Sequence, residues 1–226
     1  MTENQAREKI AYFMRRLYTQ KLTTTSGGNL SIKNEDKIYI TPSGLDKALI
    51  TPEAIGVMTL DGDVIGSRFK PSIESTMHLN IYQARPDVGA IVHAHPPTAC
   101  TFSATDCHIN TRLTSESYAI LGKIAYAEYR LMGSHELAAE TAIAAKSSNC
   151  VIMRNHGALT TGKTILEAFD RLEVLENCAI ISMNVMMMPQ GHIIELSQEE
   201  LDAIDRMMGR NQFSNTTQAR FCNKMQ

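Results

Sequence analysis

Two short apolar runs constrain this chain more than any other feature: Gly89-Ala90-Ile91-Val92-His93 and Cys150-Val151-Ile152-Met153. Each has the length of a strand and reads as a buried one. Around them the spacing turns helical. A first helix over residues 3–20 sets Ile10, Phe13, Leu17 and Tyr18 on one face behind a Thr2/Gln5 capping box. Others are expected from about Glu74 to just before Pro86, from Pro97, near 114–121, and from Ser134 to Lys146. Two more follow the Thr164/Glu167 and Ser197/Glu200 boxes, the first carrying Ile165, Phe169, Leu172 and Leu175. Lys37–Thr41 and Ile124–Tyr129 read as strands, whereas Thr23 to Asn29 breaks the pattern. Val57–Leu60, Asp61-Gly62 and Val64-Ile65 read as a hairpin, which makes the sheet at least partly antiparallel. The chain is an α/β protein in which sheet and helix alternate.

A length of 226 residues accommodates one domain with a sizeable core, and no repeat or low-complexity linker divides it. The formal net charge of −2 gives no electrostatic footprint for nucleic acid, so a small molecule is the expected partner. Cysteines 100, 107, 150, 178 and 222 form no CxxC pair and leave an odd one over, which suits reduced thiols in a cytoplasm. With no secretory hydrophobic core at the start and no apolar run of membrane length, no membrane partner is expected. The stretch Met183-Asn184-Val185-Met186-Met187-Met188 reads as core filling. Periodicity stops after Met208 and polar side chains follow, which divides the chain into a 1–208 domain and a flexible 209–226 tail that a neighbouring subunit can order.

His93 and His95 are two residues apart on a strand, so both imidazoles project from one face. His156 follows the second apolar run in Arg154-Asn155-His156-Gly157, where a loop can aim it inward. Three neutral imidazoles suit zinc and leave its fourth position open. Either strand histidine alone would be an ordinary strand residue; the three together make a site. His78, His108, His135 and His192 have no such arrangement and are read as surface or ordinary hydrogen-bonding residues. Ser72 and Glu74, at a helix start, are either a plain cap or a site for an anion or a reactive carboxylate. Gly27-Gly28-Asn29 and Thr41-Pro42-Ser43-Gly44 are either turns or loops that admit phosphate oxygens to the backbone.

Taken in order, Gly28-Asn29, Ser43-Gly44, Pro71-Ser72 with Glu74, His93-Ala94-His95-Pro96 and Asn155-His156-Gly157 resemble the class II aldolase and adducin-head family. The resemblance runs from the first helix to roughly residue 205. It implies a three-layer α/β/α sandwich with a largely antiparallel central sheet, assembled as a homotetramer with interfacial sites. By position it implies His93, His95 and His156 as ligands of one zinc per subunit. It implies Glu74 as the catalytic acid/base, a carboxylate that in the family also approaches the metal. Gly28, Asn29, Ser43, Gly44 and Ser72 match the phosphate pocket.

Departures from the family pattern are local. Ile73 stands where the family has a second pocket serine. Thr114 stands at one of the tyrosine positions contributed by the adjacent subunit, with Glu116 and Tyr118 beside it as candidate acids, and the tail offers only Phe213 and Phe221. The pattern is closest to members acting on L-fuculose 1-phosphate. That implies a lyase of carbohydrate metabolism, reversibly cleaving a ketose 1-phosphate to dihydroxyacetone phosphate and L-lactaldehyde. The same scaffold also hosts other sugar-phosphate aldolases, pentulose-phosphate 4-epimerases and methylthioribulose-phosphate dehydratases. A non-catalytic adducin-head-like interaction domain is the reading of a different class, and the intact His93, His95, His156 and Glu74 argue against it.

Overall fold

Side-chain alternation along the central strands decides the architecture. The computed structural model describes residues 1–66, 70–188 and 191–210. In chain order these form α1 (Glu3–Thr19), β1 (Asn29–Asn34), β2 (Lys37–Ile40), β3 (Gly56–Thr59), α2 (Ser75–Ala84), β4 (Ala90–Ala94) and α3 (Pro97–Ser103). There follow α4 (Ser115–Leu121), β5 (Ala125–Ala127), α5 (His135–Ala145), β6 (Cys150–Met153), β7 (Gly157–Gly162), α6 (Ile165–Met186) and α7 (Gln198–Met207). Among the described residues the strands form one sheet, ordered β3-β2-β1-β4-β7-β6-β5, antiparallel at every junction except β5 with β6.

Successive strand residues point to opposite faces, and both faces of this sheet are apolar. Leu30, Ile32, Val92, Ala94 and Ile152 pack with Ile10, Met14 and Leu17 of α1 and with Phe169, Leu172 and Leu175 of α6. Ile38, Ile40, Ile91, Val151, Met153 and Leu159 pack on the other side with Met77 and Ile81 of α2 and with Leu137, Ala138 and Ala142 of α5. Each such side chain contributes about 1.5–3 kcal/mol when fully buried, so a sheet apolar on both faces is stable only with helices on both. The result is a three-layer α/β/α sandwich. Polar residues, among them Asn29, Ser31 and His93, interrupt the second face, and the register pairs Asn29 directly with His93. Among the described residues no helix is long and apolar enough to cross a membrane.

The differences from the sequence reading have physical causes. β1 and β7 are strands that the apolar pattern did not show. In β1 the inward positions Asn29 and Ser31 are polar, and in β7 Thr160 and Thr161 are buried only because their hydroxyls bond Ala168 O at 2.6 Å and Asn149 Oδ1 at 3.0 Å. The second arm of the 57–65 hairpin shrinks to a single bridge between Met58 and Val64, and the 124–129 strand to β5. Tyr18 faces solvent. The boxes at Thr2/Gln5 and Ser197/Glu200 form reciprocally, but Glu167 returns its carboxylate to Lys163 N instead of to Thr164. Met183 and Met186 pack against the core, whereas Met187 and Met188, at the end of α6, are exposed. Past the 208 boundary, Arg210 bonds Asp205 Oδ1 and the carbonyls of Tyr118 and Ala119. The rest of the expected tail, with Phe213 and Phe221, lies outside the described residues.

Candidate functional site

β4 carries His93 at its penultimate residue and delivers His95 just beyond its end, where Pro96 has no N–H with which to extend the ladder. His156 lies in the three-residue turn Arg154-Asn155-His156 between β6 and β7, closed by the Met153–Gly157 pair. Asn155 takes a φ of 53°, the left-handed conformation that asparagine tolerates. The three imidazole centroids lie 4.9, 5.0 and 5.5 Å apart. One nitrogen of each ring lies within 4.8 Å of the others, a group able to hold a metal ion. Two glycines make room for this convergence. A Cβ on Gly28, at φ +69°, would meet His93 O at 2.8 Å, and one on Gly157 would meet Ala94 O at 2.7 Å and His95 Cδ2 at 2.6 Å.

Hydrogen bonding fixes which nitrogens face the cluster. His93 Nδ1 lies 2.9 Å from Ala158 O, and a carbonyl only accepts, so Nδ1 donates and Nε2 turns its lone pair inward. The buried Nε2 atoms of His93 and His95 have no hydrogen-bond partner, nor does Glu74 Oε1. Yet Glu74 Oε2 is 3.2 Å from His93 Nε2, and Oε1 is 3.1 Å from His156 Nε2. Lone pairs and a carboxylate this close repel unless positive charge lies between them. Burial opposes a proton on His93, but the Glu74 carboxylate prevails and raises its pKa. Burial likewise opposes the charged form of Glu74, but the His93 charge and the contacts of His156 and His93 hold its carboxyl below the usual range. Burial, with His93 and His156 adjacent, pushes His95 down to about 3, so it is neutral at pH 7, the form a metal ligand requires. Inward lone pairs, an imidazole oriented by a carbonyl and an adjacent carboxylate together fit a divalent metal.

Glu74 stands at the N-terminus of α2, but its side chain makes no cap hydrogen bond and turns to the histidines. Ser72 serves the helix start instead: its Oγ accepts from Glu74 N at 3.3 Å and from Asn29 Nδ2 at 3.1 Å. Asn29 Nδ2 also donates to Glu74 Oε2 at 2.7 Å. The loop bearing Ser43 and Gly44 is stitched to the same segment, through Ser43 N to Lys70 O at 3.0 Å and the pairing of Pro42 with Pro71. Lys47 ties that loop to the 23–29 loop. Its Nζ donates to Pro42 O at 2.7 Å and its N to Thr25 O at 2.9 Å, and burial pushes its amine down to about 8. Ile73, half exposed, lies beside Gly133. The residues near the missing tyrosine position are engaged elsewhere: Thr114 caps α4 by accepting from Ser117 N, and Tyr118 donates to Asp205 Oδ2 at 3.0 Å. Glu116 is exposed on the first turn of α4.

One site residue escaped the sequence reading. His78, read as a surface or ordinary hydrogen-bonding residue, is fully buried, with Nε2 2.5 Å from Asn29 Oδ1 and Nδ1 2.7 Å from Ser31 Oγ. The signal was present: Glu74, His78 and Tyr82 recur every four residues along one helix face, and Asn29 and Ser31 alternate on one strand face. The other three stay outside the cluster. His108 stacks on Tyr126, and His135 and His192 are exposed.

A family model described as Class II Aldolase and Adducin N-terminal domain matches residues 8–183. A protein of Methanococcus maripaludis named L-fuculose phosphate aldolase is 41% identical over 165 residues, 73% of this chain and 89% of that protein. A 5-deoxy-D-ribulose 1-phosphate aldolase of Bacillus thuringiensis is 34% identical over 180 residues, 77% of this chain and 83% of that protein. Among solved structures, an L-fuculose 1-phosphate aldolase superposes with a TM-score of 0.81 at 31% identity, covering 91% of this chain and 96% of that one.

Proposed function

The chain belongs to the class II aldolase and adducin N-terminal domain family and is an aldolase, a lyase of sugar-phosphate metabolism, and from that premise we propose that zinc at His93, His95 and His156 serves the reversible cleavage of L-fuculose 1-phosphate to dihydroxyacetone phosphate and L-lactaldehyde. One observation carries the reading: three imidazoles converge around the Glu74 carboxylate, which lies 3.2 Å from one and 3.1 Å from another. Three nitrogen ligands with an open position suit zinc. A metal ion held there supplies Lewis-acid polarisation of the substrate's carbonyl and hydroxyl oxygens.

The proton chemistry belongs to Glu74. In the cleavage direction the hydroxyl beyond the scissile bond gives its proton to water, which returns one to the Glu74 carboxylate; the carbon-carbon bond breaks and the aldehyde departs. The bonding pair stays on the carbon beside the carbonyl, and protonated Glu74 delivers its proton to that carbon. In the synthetic direction the Glu74 carboxylate removes the same proton. Similarity to a 5-deoxy-D-ribulose 1-phosphate aldolase supports a second ketose, in which only the departing aldehyde differs. Release of dihydroxyacetone phosphate separates cleavage from epimerisation and dehydration.

In this reading Gly28, Ser43, Gly44 and Ser72 form the phosphate pocket, and Asn29 shapes it through Ser72, its amide being spent on Ser72, Glu74 and His78. Both bonds that Ser72 Oγ makes to Asn29 and Glu74 use its lone pairs, which leaves its hydroxyl hydrogen available to a phosphate oxygen. Ser72→Ala is therefore expected to raise KM for a phosphorylated ketose about 10-fold, from the loss of one hydrogen bond to a charged group, and to change that for the unphosphorylated sugar far less. Equal effects on both would remove Ser72 from the pocket. A cytoplasmic homotetramer completes the proposal. Exposed Ile73, Leu131 and Met132 at the rim beside Glu74 support an interfacial site, and buried Cys150 and Cys178, neither in a disulfide, support a reducing compartment.

A further inference from the structure

A chain of buried polar groups runs from Glu74 back between α2 and β1, and the direction of every bond in it follows from the carboxylate. A carboxylate only accepts, so the Asn29 amide must turn its NH2 to Glu74 Oε2, 2.7 Å away. Its Oδ1 then faces His78 Nε2 at 2.5 Å. An amide oxygen only accepts, so Nε2 carries the hydrogen. His78 is fully buried, and burial pushes its pKa down to about 3, so the ring holds one hydrogen at neutral pH. Nδ1 is then a lone pair, 2.7 Å from Ser31 Oγ, and the serine donates to it. Having spent its one hydrogen, Ser31 accepts from Tyr82 OH at 2.8 Å.

We propose that His78 is a positioning residue for the acid/base carboxylate: its Nε2–H holds Asn29 Oδ1, locks the amide NH2 on Glu74 Oε2, and thereby assigns Oε1 as the oxygen that exchanges the proton with substrate. The inference rests on the reading of Glu74 as the proton carrier. With Oε2 held by an N–H, the proton of the neutral acid sits on Oε1. Oε1 is the buried oxygen without a hydrogen-bond partner, 3.1 Å from His156 Nε2 at the metal cluster. The chain does not conduct protons, because a carboxamide cannot relay one while keeping this bonding. Its one-directional order polarises each bond toward Glu74.

The test has two arms on the full-length, zinc-loaded protein. In the first, 15N-histidine NMR, with the His78 signal assigned by its loss in His78→Gln, reads the tautomer. The expected result is a neutral ring protonated at Nε2; a ring protonated at Nδ1, or at both nitrogens, overturns the proposal. In the second, His78→Leu is expected to lower kcat about 10- to 100-fold, the range for partners that orient a site's direct ligands, with KM and zinc content held. His78→Gln, whose amide N–H replaces Nε2–H, restores most of that loss. In an Asn29→Ala background, His78→Leu costs less than about twofold more, because the residue it acts through is already gone. Equal losses in both backgrounds, or no rescue by glutamine, would reduce His78 to a packing residue. If His78→Leu fails to fold, the tautomer and the glutamine variant decide. Wild-type turnover in Glu74→Gln would instead remove the premise, an outcome distinct from failure of the positioning role.

Discussion

Glu74→Gln lowers turnover by roughly 100- to 10,000-fold, the usual weight of a positioned general acid/base, while the fold and most of the metal remain. Glutamine has the same shape and can still accept from Asn29 Nδ2, which now bonds Glu74 Oε2 at 2.7 Å. The three imidazoles are untouched by the change. What is lost is the capacity to take up and return a proton. The loss should fall on kcat, with KM for the phosphorylated ketose moving little, because the phosphate contacts assigned to Ser43, Gly44 and Ser72 stay in place. Single-turnover kinetics and metal analysis of the same preparation check both halves. Undiminished turnover would sink the assignment of Glu74.

His95→Ala empties the metal centre. His95 is neutral at pH 7 and its buried Nε2 lacks a hydrogen-bond partner, so its free-energy contribution as a ligand is uncompensated when the ring is removed. Zinc affinity should fall by more than about 100-fold, the upper range for losing only an orienting partner. Activity falls with occupancy. Stability supplies an independent readout: metal present at about 1,000 times its Kd stabilises the folded state by about 4 kcal/mol. At about 2–4 °C per kcal/mol for a domain of this size, chelation should lower the wild-type Tm by roughly 8–16 °C and leave that of His95→Ala almost unchanged. A variant that keeps stoichiometric zinc would remove His95 from the ligand set.

The histidine cluster was legible in the sequence because its geometry is local. His93-Ala94-His95 states its own spacing on a strand, and His156 follows a second apolar run by three residues. The helices were legible for the same reason, from capping pairs and apolar periodicity. β1 was hidden because the polar Asn29 and Ser31 occupy the inward positions where an ordinary strand would show apolar residues. β7 was hidden because Thr160 and Thr161 reach burial through hydrogen bonds to groups distant in sequence or across a turn. His78 read as a surface or ordinary hydrogen-bonding residue since a polar, four-residue period on α2 is also what a solvated helix face shows. Only the pairing of β1 with β4, which sets Asn29 against His93 beneath α2, turns that period inward. Sites that break local rules are where reading from pattern alone is expected to fail.

The assay that decides the proposed activity is cleavage of L-fuculose 1-phosphate by the zinc-loaded protein beside a chelated control, with dihydroxyacetone phosphate detected as product. The expected result is stoichiometric release of dihydroxyacetone phosphate and L-lactaldehyde that chelation abolishes and added zinc restores. Tightly bound zinc without dihydroxyacetone phosphate would contradict the proposed cleavage of this ketose, and cleavage indifferent to the chelator would contradict the metal's part in it.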